Sequence, residues 1–159
     1  PKKTFAQFHI SPNVTEREFL TEEEQKTLMT HELGVQLFYI RDIFVFASFT
    51  ALSFVDIKEL TNDRIVEGNG EKWIISKRHK TGVPFQVKLL DIPLQIIERY
   101  RPFQENDFVF PNLNYWSICK PLKKIIRECG VNKDISFHLA RHIIPSYSLK
   151  TRNLQRLSA

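Results

Sequence analysis

Three stretches of this chain hold side chains suited to proton or anion chemistry. Ser136-Phe137-His138-Leu139-Ala140-Arg141-His142 sets an imidazole and a guanidinium three positions apart, and on a helix such residues share a face. There the Arg fork can clamp two oxygens of an oxyanion while the His exchanges a proton. The competing reading of a lone His-x-x-Arg is a solvated helix face. His138 and His142 also stand four apart, as zinc ligands often do, but the interior Glu of a His-Glu-x-x-His site is missing and no third ligand is evident. No metal is assigned.

Lys80 in Lys80-Thr81-Gly82 is the second candidate. A Lys on a tight turn can reach into a groove and give a proton to a leaving oxygen; an ordinary exposed turn Lys is the bland alternative. The third stretch, Phe49 to Leu60, sets Thr50, Ser53 and Asp56 between apolar runs. Local helix capping by Ser53 and Asp56 would explain it equally well.

Those residues need elements to hold them. Thr21 followed by Glu24 has the capping-box form and predicts a helix over 21–30. Residues 34–51 are apolar on nearly all sides, the mark of a central helix, and Phe54, Ile57 and Leu60 suggest a short helix after a turn near Ser53. The period then changes. Residues 64–67 and 72–77 flank Gly68-Asn69-Gly70, a hairpin signal, and alternation from Val83 to Leu89 adds a third strand beyond the basic turn Arg78–Gly82. Helical spacing returns over 93–100, 115–129 and from Phe137 onward. The expected fold class is α+β, mostly helical, with a small three-stranded antiparallel sheet.

Composition narrows the class. The chain has 159 residues, 42% of them hydrophobic and 26% charged, with 13 Phe and only 5 Gly, which excludes disordered, collagen-like and linker proteins. A net charge of +5 without long single-sign runs allows a polyanion partner if folding gathers the basic residues. Cys119 and Cys129 would lie about 15 Å apart on one helix, beyond the roughly 7 Å that a disulfide tolerates, and free thiols suit a reducing compartment. The longest uncharged stretch, Ile43–Val55, is shorter than the about 20 residues of a spanning helix; no membrane partner is expected.

With these motifs in view, the chain resembles the catalytic domain of the tyrosine recombinases, the phage-integrase family. The likeness rests on Asp42 to Leu60, on the hairpin ending in Lys80-Thr81-Gly82, and on Ser136 to His142, in the family's order and at its approximate separations. Phe19 to Glu24 and Arg41-Asp42-Ile43-Phe44 resemble integrases of mobile elements from Bacteroides-type bacteria. The resemblance implies cleavage of one strand of double-stranded DNA by a Tyr hydroxyl, through a 3′-phosphotyrosyl link, then rejoining without metal or other cofactor. It implies Arg141 as the second family arginine, His138 as its partner, Lys80 as general acid and Asp56 as the acidic support. It implies bacterial cytoplasm as the location and a tetramer on DNA for the full-length protein, with a monomer expected for the fragment.

The departures are specific. The family's Thr-Gly-Leu-Arg reads Thr50-Ala51-Leu52-Ser53 here, so the first arginine position holds Ser53, which supplies neither charge nor fork. Arg78, two residues before Lys80, is the candidate for compensation if both lie on one strand face. The opening Pro-Lys-Lys suggests a piece of a longer protein, with 1–18 a linker from a missing N-terminal DNA-binding domain. Residues 19–159 form a catalytic domain truncated before its nucleophile, since Tyr39, Tyr100, Tyr115 and Tyr147 match no nucleophile position. Pro145 predicts a break after Arg141, and residues 153–158 read as a further helix. Lys77 and Arg78 on the hairpin, with Lys120, Lys123, Lys124 and Arg127 on the late helix, are the candidate phosphate contacts. A decayed integrase relative that only binds DNA, and a metal-dependent hydrolase using His138 and His142, are the competing functions.

Overall fold

The computed structural model describes residues Phe19 to His142. The expectations for residues 1–18, Pro145, Tyr147 and 153–158 lie outside the described residues. Five α-helices accompany a small sheet: α1 (Glu22–Thr30), α2 (Val35–Thr50), α3 (Phe54–Lys58), β1 (Ile65–Gly68), β2 (Glu71–Lys77), β3 (Pro84–Lys88), α4 (Asp91–Tyr100) and α5 (Tyr115–Glu128). A 3-10 segment, Phe137–His142, closes the described chain.

The centre is α2. From Ile40 to Thr50 every residue but Phe49 is buried, so no face of that stretch is left for water and it must be wrapped. The 3-10 segment, α4 and α5 do the wrapping. Phe137 sets its ring edge-on to Phe44 (6.0 Å between centroids), and Phe110 does the same to Phe46 (4.8 Å). The high Phe count is spent here, in edge-to-face pairs that lock neighbouring elements.

Local chemistry sets the boundaries. The capping box at α1 forms: the Thr21 hydroxyl accepts the Glu24 N–H (3.2 Å) and the Glu24 carboxylate accepts the Thr21 N–H (2.7 Å). α2 stops because Ala51 turns into the left-handed region at φ 55°. The sheet runs β1-β2-β3, all antiparallel, in the register Ile65 with Ile74 and Lys77 with Pro84. Asn69 and Gly70 both take positive φ (55° and 75°), as the tight two-residue hairpin requires.

Three details differ from the sequence reading. β1 begins at Ile65, because Arg64 ends a 3-10 turn over Asn62–Arg64. The last helical piece is 3-10 where it is described, so its i and i+3 side chains eclipse. The strand face proposed for Arg78 and Lys80 does not exist: β2 ends at Lys77, and Arg78 to Gly82 curl into a turn closed by the Gly82 N–H donating to the Arg78 carbonyl (2.8 Å).

Candidate functional site

A cleft of about 610 Å³ opens between α3, the β2–β3 turn, the first turn of α5 and the 3-10 segment. Its walls include Ser53, Lys58, His79, Trp116, His138 and Arg141.

Arg141 and His138 come to the cleft together. Three positions apart on a 3-10 turn, they project along one line. Phe137 and Ala140, each immediately before one of them, are buried against the core, which fixes that line toward the opening. The Arg141 Nε–H donates to the Ala51 carbonyl (3.2 Å). The left-handed turn that ends α2 is therefore also what aims this carbonyl at the guanidinium, and the bond it takes is the Nε–H one rather than an Nη one.

Ser53 lies on the same wall, but its hydroxyl is engaged. It donates to Asp56 Oδ2 (2.7 Å) and accepts the Asp56 N–H (3.2 Å), capping α3. Asp56 also accepts the Arg78 guanidinium at Oδ2 (2.9 Å) and the His79 backbone N–H at Oδ1 (3.1 Å). Burial pushes this carboxyl up, but the bonds from the His79 amide, Ser53 and Arg78 outweigh it and hold Asp56 below the usual carboxylate range. One buried anion thus ties α3 to the β2–β3 turn across 22 residues of sequence.

Arg78 is directed at that anion and lies over the Phe85 ring (4.4 Å to the centroid), and it is not a cleft-lining residue. Lys80 sits exposed in the turn and does not line the cleft either; the turn contributes His79 instead. His79 Nδ1 is 2.7 Å from Glu59 Oε2. Lys77 is exposed at the end of β2.

Sequence reasoning did not single out Lys58, His79 or Trp116. Lys58 ends α3, two positions after Asp56, and makes no ion pair among the described residues. The signal for Trp116 was available: Asn114 is a good N-cap, it accepts the Trp116 N–H (2.9 Å), and it starts a helix with two aromatic residues in its first turn. Tyr115 also lines the cleft, with its ring edge-on to Phe54 (5.2 Å). Its hydrogen bond to Cys119 raises the Tyr115 pKa, with burial adding to the shift. Tyr39 and Tyr100 are committed to the core, as donors to the Pro111 carbonyl and to Asp42.

Lys120, Lys123, Lys124 and Arg127 are exposed and line one shallow depression on α5 together with Glu128. Lys123 pairs with Asp134 (2.8 Å) and Lys124 with Glu128 (3.7 Å); Lys120 and Arg127 make no ion pair among the described residues. Cys119 and Cys129 are free thiols. No helix among the described residues is long and apolar enough to cross a membrane.

This α+β arrangement, mostly helical with a three-stranded antiparallel sheet, is the fold of tyrosine recombinase catalytic domains. Solved structures of similar fold include the XerH site-specific recombinase bound to its difH substrate in a pre-cleavage complex. There the TM-score is 0.64 at 19% identity, over 84% of this chain and 43% of that one. Lambda integrase bound to DNA superposes with a TM-score of 0.61 at 16% identity, over 80% and 49%. The XerA recombinase gives 0.61 at 14%, over 84% and 51%. The chain therefore spans about half the length of these proteins. No protein-family model and no curated protein matches it by sequence.

Proposed function

We propose that this chain forms the phosphate-holding part of a site-specific DNA strand transferase that works through a 3′-phosphotyrosyl intermediate. The observation that carries the reading is the pairing of His138 and Arg141 on one wall of an open cleft, in the fold shared with XerH and lambda integrase. In this reading the Arg141 Nη groups fork two phosphate oxygens, which matters most as negative charge builds in the transition state. His138 moves a proton beside it. Lys80 reaches the leaving 5′-oxygen from the turn and protonates it. Asp56 fixes the α3–turn junction, and Arg78, bound to Asp56, acts as a positioning residue in place of the missing first arginine.

The nucleophile is assigned to a Tyr outside the described residues. Tyr39 and Tyr100 are half-buried donors to the Pro111 carbonyl and to Asp42, and the Tyr115 ring is packed edge-on against Phe54. The parent protein is read as an integrase of a mobile element in the bacterial cytoplasm, tetrameric on DNA, with an N-terminal DNA-binding domain beyond residues 1–18.

The test is cleavage of a suicide DNA substrate by the full-length protein. A covalent adduct is expected, reduced about 10²–10³-fold in Arg141→Ala, with duplex binding changed far less. Arg78→Ala should slow cleavage more than it weakens binding; unchanged cleavage rejects its positioning role. The second reading, a decayed relative that only binds DNA, is favoured by one feature: Ser53 spends its hydroxyl on Asp56 and leaves the first-arginine position uncharged. Duplex binding without any adduct would select it.

A further inference from the structure

Trp116 is 80% exposed, although folding alone would bury an indole. It is nevertheless held in place. Its backbone N–H donates to the Asn114 side chain, which fixes the start of the helix, and its ring meets Tyr115 edge-on (5.8 Å), which in turn meets the buried Phe54 (5.2 Å). The result is an aromatic ladder running from the core to the cleft mouth, with Arg141 and Lys58 on the surrounding walls. A flat π-face beside cations is the chemistry that recognises a nucleotide: the ring stacks on the base and the cations hold its phosphate.

The rest of α5 supports this assignment. Lys120, Lys123 and Arg127 follow Trp116 at intervals of four, three and four, so all four lie on one helix face. They span about 16 Å, nearly five steps of a nucleic-acid strand at 3.4 Å each. The indole thus stands where a cationic backbone track enters the cleft.

We infer that Trp116 is a stacking platform for an unpaired base next to the phosphate held in the cleft. This rests on the strand-transfer reading and deepens it. Exchange between duplexes requires bases flanking the break to leave their complements, and unstacking is the cost of that step. An indole at the cleft mouth offsets part of it. The platform recognises no particular base, because every base offers a π-face.

The experiment compares a 30-base-pair duplex with the same duplex carrying a two-nucleotide mismatch bubble, titrated into the 159-residue chain. A Trp73→Phe background leaves Trp116 as the sole indole reporter. The bubble duplex should bind about tenfold more tightly than the paired one and quench Trp116 fluorescence. Trp116→Ala should abolish the preference without lowering the melting temperature, and Trp116→Phe should retain most of it. Equal affinity for the two duplexes, or a preference that survives in Trp116→Ala, overturns the platform and leaves the DNA reading intact. Binding of neither duplex overturns both.

Discussion

Ala51 carries a cost that the site uses. At φ 55° its methyl group sits in a conformation that L-residues avoid, yet the turn it makes ends α2 and presents its carbonyl to Arg141. Glycine takes the same backbone without that penalty. Ala51→Gly is therefore expected to stabilise the fold by about 1 kcal/mol and raise the melting temperature by roughly 2–4 °C. An unchanged or lower melting temperature by calorimetry would show that the turn is unstrained. Asp56 is the opposite case. Its side chain, 5% exposed, accepts from Ser53, Arg78 and His79, so Asp56→Ala removes half of a capping box and leaves a guanidinium without its counterion. The expected loss is about 2–4 kcal/mol in denaturant unfolding. Because the pair also sets the hairpin against α3, a variant that remains folded should lose cleavage together with stability.

At the level of elements, electrostatics divides the α5 cations. Lys123 and Lys124 already face Asp134 and Glu128, and the Lys123 hydrogen bond holds the exposed Asp134 carboxyl below its usual range. Lys120 and Arg127 make no ion pair among the described residues, although Arg127 also feels the Asp134 carboxylate at longer range, so Lys120 above all can release counterions from DNA. Replacing either with Ala is expected to lower the slope of log affinity against log salt by about 0.9, and Lys123→Ala by less. Equal slopes for all variants would remove α5 from the interface. Elements of this kind were largely legible in the sequence, because their signals are local. Thr21 with Glu24, the Asn69-Gly70 turn and the apolar run of α2 each act within one turn or hairpin. What was not legible depends on partners far away in the chain. Arg78 falls in the basic turn, and the extended geometry that would align it with Lys80 is lost to the tight bond from Gly82 to its carbonyl; nothing in the spacing shows that Asp56, 22 residues earlier, captures it. His79 rather than Lys80 faces the cleft for the same reason: the turn's curl, not its composition, decides which side chain points inward. Asp42 was read only as part of a resemblance, yet its buried carboxylate gathers Arg41, Arg99 and Tyr100 from two helices.

Across the whole molecule, two capping acids also act as long-range ties, and this makes the fold sensitive to acid. Glu24 caps α1 and also receives Lys133, 109 residues away (2.6 Å); burial raises its pKa, but Lys133 and the Thr21 amide outweigh that and hold it low. Asp56 caps α3 and ties the hairpin to it, with its pKa lowered in the same sense. A carboxyl whose folded pKa lies below its unfolded one contributes stability that is complete above the unfolded value, about 4, and is lost as pH falls through the folded value. Both groups have this sign, so melting temperature should be nearly flat from pH 7 to about 5 and fall steeply below about 4. Glu24→Gln keeps the chain's shape at α1 but removes one of the two titrations, so its acid limb should be shallower than that of the wild type. The same substitution also weakens the link to Lys133, so the neutral plateau should be lower. A wild-type profile without an acid limb, or a Glu24→Gln profile parallel to the wild type at every pH, would show that these two acids do not act as ionised ties within the fold.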